Sequence, residues 1–311
     1  MIIQSLTPVI DYIYKALGHP SLALPVEIKN EKIWRLYKKA TRDQWAFDER
    51  HQFPTDFRNM DINEWLGTTD EVRIAAAKSF SSFYYGEHGA KVISAQLTVL
   101  APTNESSKFL ATQTMDEARH VEVFEAIIGF IHGGVYPMNP FLNAFLSDII
   151  KTKYFEDKLI GMNLLVEGLA LSAFRMVVKE LKNGDKVSVD GYKIVGSPIE
   201  DIIRDESRHV GFGVVFLPEV LEGLSWRRKT VLRLRQLAWL GLLYGSVKYH
   251  QADMEVMGLD YLQLLKELIE DHEKRIEDCG GNALVSTEKM KSIIPIMDKL
   301  VDRFRSEKSS S

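Results

Sequence analysis

The sequence contains a single cysteine, Cys279, among its 311 residues. Intrachain disulfides and thiolate metal clusters are therefore excluded, and a cytoplasmic location is expected. A large excess of one charge is also missing, because the formal net charge is only −4, which argues against general nucleic-acid binding. The apolar run Leu237–Val247 is too short to span a bilayer, and the first residues lack the features of a signal peptide. These absences leave an ordinary soluble globular protein.

Glycine and proline lie mostly between long segments of helical periodicity, which predicts an all-α protein. The first long helix is expected to start at Thr68, because Glu71 follows at the spacing of a capping box. Pro198 is expected to open a later helix, and Pro295 to kink the last one. The predicted helices cover about 68–101, 104–132, 140–150, 151–181, 198–221, 225–258 and the remainder to about 305.

One segment carries a strand pattern instead. Lys186–Val195 alternates around Asp190-Gly191, a pair typical of a two-residue hairpin turn, which predicts a small β-hairpin insertion. No linker divides the chain, so we predict an N-terminal helical and loop segment, 1–67, that packs on a helical bundle, 68–305. A short tail, 306–311, is predicted to be disordered.

A five-residue motif occurs twice, as Asp116-Glu117-Ala118-Arg119-His120 and as Asp205-Glu206-Ser207-Arg208-His209. In each copy the glutamate and histidine are three residues apart, so both side chains project from one helix face and can bind the same ion. A single Glu-x-x-His is weak evidence, but two copies with matching flanks are typical of the two-metal carboxylate site of ferritin-like bundles.

Such a site needs one further glutamate from each of two other helices. Glu87 has mostly apolar neighbours at helical spacing, and it precedes Glu117 at a distance that suits two helices joined by a short turn. Glu167 interrupts the apolar run Leu164–Leu171, where an unpaired charge would be costly. The alternative is that Glu167 lies on an exposed strip. The predicted metal ligands are Glu87, Glu117, His120, Glu167, Glu206 and His209.

Oxygen ligands with two imidazoles favour iron or manganese over zinc or magnesium. We therefore expect two iron ions, or one manganese and one iron, with O2 as co-substrate. Asp116 and Asp205 are expected to accept the free N–H of a ligand histidine from the neighbouring helix. Arg119 and Arg208 either pair with these aspartates or form surface ion pairs. His88 is not expected to be a ligand.

These residues resemble the ribonucleotide reductase small-subunit superfamily, which includes related ligand-binding oxidases. The similarity covers about residues 33–250 and includes the N-terminal segment around Trp45. It implies a ferritin-like fold, a homodimer and an external electron donor, and it places Trp45, Tyr84 and Phe124 close around the ligands. The motifs are specific for the fold and metal site but do not name the reaction.

Three departures from the superfamily bear on function. Radical-generating subunits have a tyrosine four residues after the first ligand histidine, where this chain has Phe124. The oxidases crosslink a tyrosine to a valine near the metals, and this chain has Met162 and Ala90 at the corresponding positions. Neither the usual tyrosyl radical nor that crosslink is expected here.

Three functions therefore remain in view. The first is an oxygen-activating oxidase or oxygenase that acts on a small or lipid-like organic substrate. The second is a ribonucleotide reductase small subunit that lacks the usual radical tyrosine. The third is a non-enzymatic iron-binding protein. Oxygen consumption by the Fe(II)-loaded protein separates the third from the others.

Overall fold

The computed structural model describes residues 30–54, 60–183, 187–280 and 284–309. Every regular element in these ranges is helical, which confirms the all-α prediction. The α-helices are α1 Glu31–Arg42, α2 Phe47–Arg50, α3 Ile62–Leu66, α4 Asp70–Leu100, α5 Asn104–Ile131, α6 Pro140–Lys151, α7 Phe155–Leu159, α8 Glu167–Asn183, α9 Val189–Glu222, α10 Trp226–Tyr249, α11 Gln251–Val256, α12 Tyr261–Asp278 and α13 Thr287–Ser309. A π-helical segment, Ile160–Val166, joins α7 to α8.

Four long stretches form the centre of the bundle: α4, α5, α9 and the continuous run from α7 to α8. Short polar side chains cap the N-termini of α4 and α5. Thr69 accepts a hydrogen bond from the Val72 amide at the start of α4, and Thr103 forms a capping box with Ser106 at the start of α5. The turn between α4 and α5 is short, so the two helices pack against each other along their length.

Each central stretch carries an apolar block, a polar segment and a second apolar block. One apolar layer contains Ile93, Phe109, Leu164 and Phe212, and the other contains Phe80, Phe124, Phe174 and Ile199. The polar segments lie between these layers. Their glutamates and histidines are therefore enclosed by apolar side chains at both ends, which keeps water away from them.

The β-hairpin prediction is wrong. The described part of the segment, 187–195, contains no strand and forms the start of α9, while 184–186 lie outside the described residues. Ser188 begins the helix because its hydroxyl accepts a hydrogen bond from the Gly191 amide and its own amide donates to the Leu66 carbonyl oxygen. Val195, Ile199 and Ile202 then follow at helical spacing and are buried. Helical packing outweighed the local turn signal of Asp190-Gly191.

Several predicted boundaries also differ. The first long helix begins at Asp70 with Thr69 as its cap, so the Thr68–Glu71 capping box does not form. Pro198 lies inside α9 and does not open a helix. The helix predicted over 151–181 is interrupted at 152–154, and the one predicted over 225–258 is broken at His250. In the predicted tail, 306–309 continue α13, and 310–311 lie outside the described residues.

The run Phe155–Lys182 is long and apolar enough to cross a membrane. However, 78% of its apolar window is buried inside the bundle, as in the core helix of a soluble protein. Residues 30–54 cover α5 and α9: the Asn30 amide donates a hydrogen bond to Glu105 on α5, and Trp45 donates one to Asp205 on α9.

Candidate metal centre

The structure brings the six predicted ligand side chains together between the two apolar layers. Glu87 comes from α4, Glu117 and His120 from α5, Glu167 from the start of α8, and Glu206 and His209 from α9. All six are buried, with at most 5% of each residue exposed. Because they come from four different helices, it is the packing of these helices that brings them close together.

The cluster consists of two half-sites that share Glu117 and Glu206. In the Glu87 half-site, the His120 Nδ1 atom lies 3.4 Å from Glu87, 3.3 Å from Glu117 and 3.1 Å from Glu206. In the Glu167 half-site, the His209 Nδ1 atom lies 3.2 Å from Glu117, 3.7 Å from Glu206 and 3.9 Å from Glu167. Each shared glutamate presents one oxygen to each histidine.

The second nitrogen of each histidine faces an aspartate from the other copy of the motif. His120 Nε2 lies 3.3 Å from Asp205, and His209 Nε2 lies 3.2 Å from Asp116. An aspartate at this nitrogen favours a proton on Nε2, which leaves the Nδ1 lone pair directed at the glutamates.

Two buried arginines compensate the two aspartates. Arg119 and Arg208 each contact both Asp116 and Asp205, and each is only 5% exposed, so the surface alternative does not hold. Trp45 donates from Nε1 to Asp205 over 2.9 Å and lies under the Arg119 guanidinium. With the aspartates balanced, four glutamates remain as the uncompensated charge of the site.

Sequence reasoning missed two buried amides beside the cluster. Gln113 donates to Glu167 over 2.5 Å and to Glu117 over 3.3 Å. Asn163, in the π-helical segment, donates to the Gln113 side-chain oxygen and to the His209 carbonyl oxygen. Gln113 precedes Glu117 by one helical turn, so the shared helix face was the signal that could have indicated it.

The acid–base properties of the cluster follow from burial and mutual charge. Burial raises the pKa of Glu87 and of Glu167 well above the ordinary value. Burial alone would lower the pKa of His120 and of His209, but the surrounding carboxylates raise it well above the usual value. The same histidines overcome burial at Glu117 and lower its pKa. In the absence of cations, protons therefore neutralise this cluster.

The donor set and its unsatisfied atoms fit a pair of divalent cations. Five buried ligand atoms have no hydrogen-bond partner. They are the Nδ1 atoms of both histidines and one oxygen each from Glu117, Glu167 and Glu206. An unsatisfied buried polar atom costs about 1–3 kcal/mol, a cost that a cation among these atoms removes. Ligand atoms within 4.8 Å of one another come from Glu87, Glu117, His120 and Glu206 in one group, and from Glu117, Glu167 and His209 in the other.

A largely apolar cavity of about 480 Å³ opens onto the cluster. Glu87, Glu167 and Glu206 form its polar end at the candidate metal centre. Met162 and Ala90, which replace the crosslinking pair of the related oxidases, also line it. The cavity therefore gives an apolar molecule direct access to the two half-sites.

The remaining predicted neighbours occupy different places. Phe124 is buried and packs against Phe83 and Phe174, one turn beyond His120. Tyr84 is not brought to the cluster, because its hydroxyl donates to Glu125 on the outer side of α5. His88 packs edge-on against Tyr84 and is not part of either ligand group.

Comparison with known proteins agrees with this architecture. No protein-family profile matches the sequence, and no curated protein matches it. Among solved structures, an R2-like ligand-binding oxidase variant with an aerobically reconstituted Mn/Fe cofactor matches with a TM-score of 0.65 and 20% identity, covering 81% of this chain and 94% of that chain. A variant with an aerobically reconstituted Fe/Fe cofactor matches with a TM-score of 0.64 and 20% identity over the same shares of the two chains. The chain therefore has the ferritin-like helical fold of the R2-like ligand-binding oxidases.

Proposed function

We propose that this protein is an O2-activating oxidase or oxygenase with two metal ions, either two irons or one manganese and one iron. The observation that carries the proposal is the pair of half-sites, in which four glutamates and two histidines leave buried ligand atoms without hydrogen-bond partners. The solved structures with the same fold hold Mn/Fe or Fe/Fe cofactors, which supports the choice of metals.

The metal pair, when bound, supplies the redox chemistry that activates O2, which protein side chains cannot supply. In this proposal Glu87 and His120 would hold one ion and Glu167 and His209 the other, while Glu117 and Glu206, which face both histidines, would serve both half-sites. Asp205 and Asp116 hold the histidine rings in the orientation that metal binding requires. The apolar layers exclude water and so protect a reactive centre from side reactions.

The substrate of the proposed enzyme is a small or lipid-like organic molecule. The apolar lining of the cavity, and its polar end formed by three of the proposed ligands, support this class. An apolar molecule in the cavity would place a carbon next to Glu87 and Glu206, where the metals are proposed to lie.

The remaining assignments rest on the resemblance and on composition. The protein is proposed to work in the cytoplasm, as a homodimer, with an external electron donor.

The hydrogen-bonded series from Trp45 through Asp205 to His120 offers a route from the half-buried tryptophan to the cluster. The same series favours the second candidate, a ribonucleotide reductase small subunit without the usual tyrosine, because such a subunit also needs a radical route to a partner.

Oxygen consumption tests the proposal and separates the two candidates. Fe(II)-loaded and Mn/Fe-loaded protein, given a chemical reductant and a medium-chain alkyl substrate, is expected to consume O2 over many turnovers without any other subunit. His209→Ala protein is the inactive control, and Glu122→Ala, an exposed substitution on the same α5 helix as His120, is the active control. Consumption that needs a reductase large subunit would favour the second candidate. No consumption with either metal pair would contradict both.

A further inference from the structure

A second polar cluster lies in the wall of the same cavity, away from the proposed metal ligands. Ser79 and Ser82 on α4 and His250 between α10 and α11 all line the cavity. His250 Nε2 lies 2.7 Å from the Ser82 hydroxyl oxygen, and His250 Nδ1 lies 3.2 Å from Asp253. Lys78 in turn lies 3.4 Å from Asp253 on the outer side. These contacts place a small polar cluster in the wall of a largely apolar cavity.

The hydrogen-bond directions in this cluster follow from Asp253. Burial alone would raise the pKa of Asp253, but its hydrogen bond with His250 and the charge of Lys78 lower it below the ordinary value. An ionised carboxylate only accepts, so His250 donates from Nδ1. In the neutral tautomer that donates from Nδ1, the lone pair is on Nε2, and Ser82 then donates its hydroxyl proton to that nitrogen. The Ser82 oxygen keeps its lone pairs free to accept.

Ser79 provides the complementary group. Its hydroxyl oxygen is buried and has no hydrogen-bond partner, although the residue lines the cavity. Ser79 and Ser82 are three residues apart on one helix, so their Cβ atoms are about 5–6 Å apart on the same face. The wall therefore offers one acceptor, the Ser82 oxygen, beside one donor, the Ser79 hydroxyl.

We propose that Ser79, Ser82 and His250 form a subsite for the hydroxyl group of a neutral alkyl alcohol whose chain extends toward the two half-sites. The alcohol donates to the Ser82 oxygen and accepts from the Ser79 hydroxyl, which satisfies both groups at once. A neutral ligand group suits this wall because Lys78 already balances Asp253. The proposal rests on the proposed function only in identifying this ligand as the substrate.

The series from Asp253 through His250 to Ser82 also resembles a hydrolytic triad. However, Ser82 lies in the middle of α4, whose backbone amides are engaged within the helix. No backbone donors are then available to stabilise an oxyanion at Ser82, so the geometry favours binding over nucleophilic attack.

The subsite also determines which carbon would react. Ser82 precedes Glu87 by five residues on one helix, which places the two side chains roughly 7–8 Å apart along the axis. An anchored alcohol would therefore present a carbon several bonds away from its hydroxyl to the proposed metal centre. The role of these residues is thus to position the substrate.

Competition binding tests the subsite without oxygen chemistry. Full-length protein, metal-free and Mn(II)-loaded, is titrated with 1-octanol, octyl methyl ether, n-octane and octanoate against an environment-sensitive dye held in the cavity. We expect 1-octanol to bind best among the neutral ligands. Ser82→Ala, Ser79→Ala and His250→Phe should each weaken it about three- to tenfold, the value of one hydrogen bond, and leave n-octane unchanged. Ser147→Ala, a change of a half-buried serine on α6 that is not among the residues lining the cavity, is the matched control.

Three results would overturn the subsite: equal losses for octanol and octane, no preference for octanol over the ether, or tighter binding of octanoate that Ser82→Ala weakens. Because these readouts do not involve O2, they distinguish failure of the subsite from failure of the proposed function. A protein that binds octanol as expected but consumes no oxygen would retain the subsite and lose the enzyme assignment.

Discussion

The two half-sites are similar in plan but differ in how firmly their residues are placed. In the Glu87 half-site four residues bring ligand atoms within 4.8 Å of one another, whereas in the Glu167 half-site only three do so. Glu167, however, is held by Gln113, and among the described residues no comparable amide holds Glu87. One half-site is therefore preorganised by its ligands, and the other depends on a neighbouring amide network.

From this difference we predict that two cations would not bind equivalently to the half-sites. A cation gains most where its ligands already converge, because less side-chain ordering is needed on binding. The Glu87 half-site should fill first and more tightly, and the Glu167 half-site second. A mixed-metal centre can arise from such a difference in affinity.

The largest effect is expected from a residue common to both half-sites. Glu117→Ala should abolish two-metal loading, because it removes one ligand from each ion while leaving the apolar layers intact. Metal analysis by mass spectrometry measures the loss, and far-UV circular dichroism checks that helix content is retained. Glu122→Ala, an exposed change on the same helix, should load normally. Full occupancy in Glu117→Ala protein would remove the basis of the metal-centre assignment.

Substitution of Glu87 and substitution of Glu167 should affect different metal-binding steps. Glu87→Ala should weaken the first binding step by more than about 100-fold, since loss of a ligand exceeds the 10–100-fold effect of residues that only orient ligands. Glu167→Ala should leave the first step nearly unchanged and remove the second. Anaerobic calorimetry with Mn(II) resolves the two steps. Equal loss of the first step in both variants would contradict the proposed order of filling.

The amide network should affect only one half-site. Gln113→Leu is expected to weaken the second binding step by about tenfold, because Glu167 loses the donor that fixes its orientation. The first step should remain as in the unmodified protein. Asn163→Leu, which removes the group that orients Gln113, should give a smaller loss of the same kind. An effect on the first step would show that the half-sites are not independent.

The smallest effect concerns pH. The neighbouring carboxylates raise the pKa values of His120 and His209 above the ordinary histidine value of 6.5, and burial raises those of Glu87 and Glu167 above the ordinary glutamate value of 4.5. Stability from groups with raised pKa values is present below their unfolded pKa and is lost as pH rises through the folded one. The unfolding free energy of metal-free protein should therefore fall as pH rises above 6.5.

Metal-loaded protein should show the opposite trend, because cation binding requires deprotonated ligands and releases protons. Guanidinium unfolding of both forms between pH 6 and pH 9 measures the two slopes. Parallel slopes for the two forms would mean that cations do not replace protons in this cluster.

The fold and the convergence of the six residues could be predicted from the sequence because they depend on repeated, local patterns. In each Glu-x-x-His pair the three-residue spacing places both side chains on one helix face. Glu87 and Glu167 are recognisable as charged residues among apolar neighbours. Their roles as ligands remain predictions that the proposed metal analysis tests.

Other features depend on contacts that no local pattern records. The segment 186–195 was mistaken for a hairpin because its turn signal is local, whereas the contact from Ser188 to Leu66 joins distant parts of the chain. Gln113 and Asn163 are neutral amides, and their role is visible only in the structure, which places them beside Glu167 and His209. Tyr84 was expected near the cluster, but the rotation of α4 directs it to Glu125.

The wide helical segment Ile160–Val166 makes the second half-site sensitive to chain length as well as to chemistry. The Glu167 amide donates to the Met162 carbonyl oxygen, five residues back, so this stretch contains more residues per turn than an α-helix. A deletion of one residue here would be absorbed if ordinary four-residue bonds closed, whereas the same bonds in a chain of unchanged length would turn Glu167 about 100° around the axis. The position of Glu167 in the second half-site thus depends on the one extra residue that this wide turn holds, and not only on the side chains of the six proposed ligands.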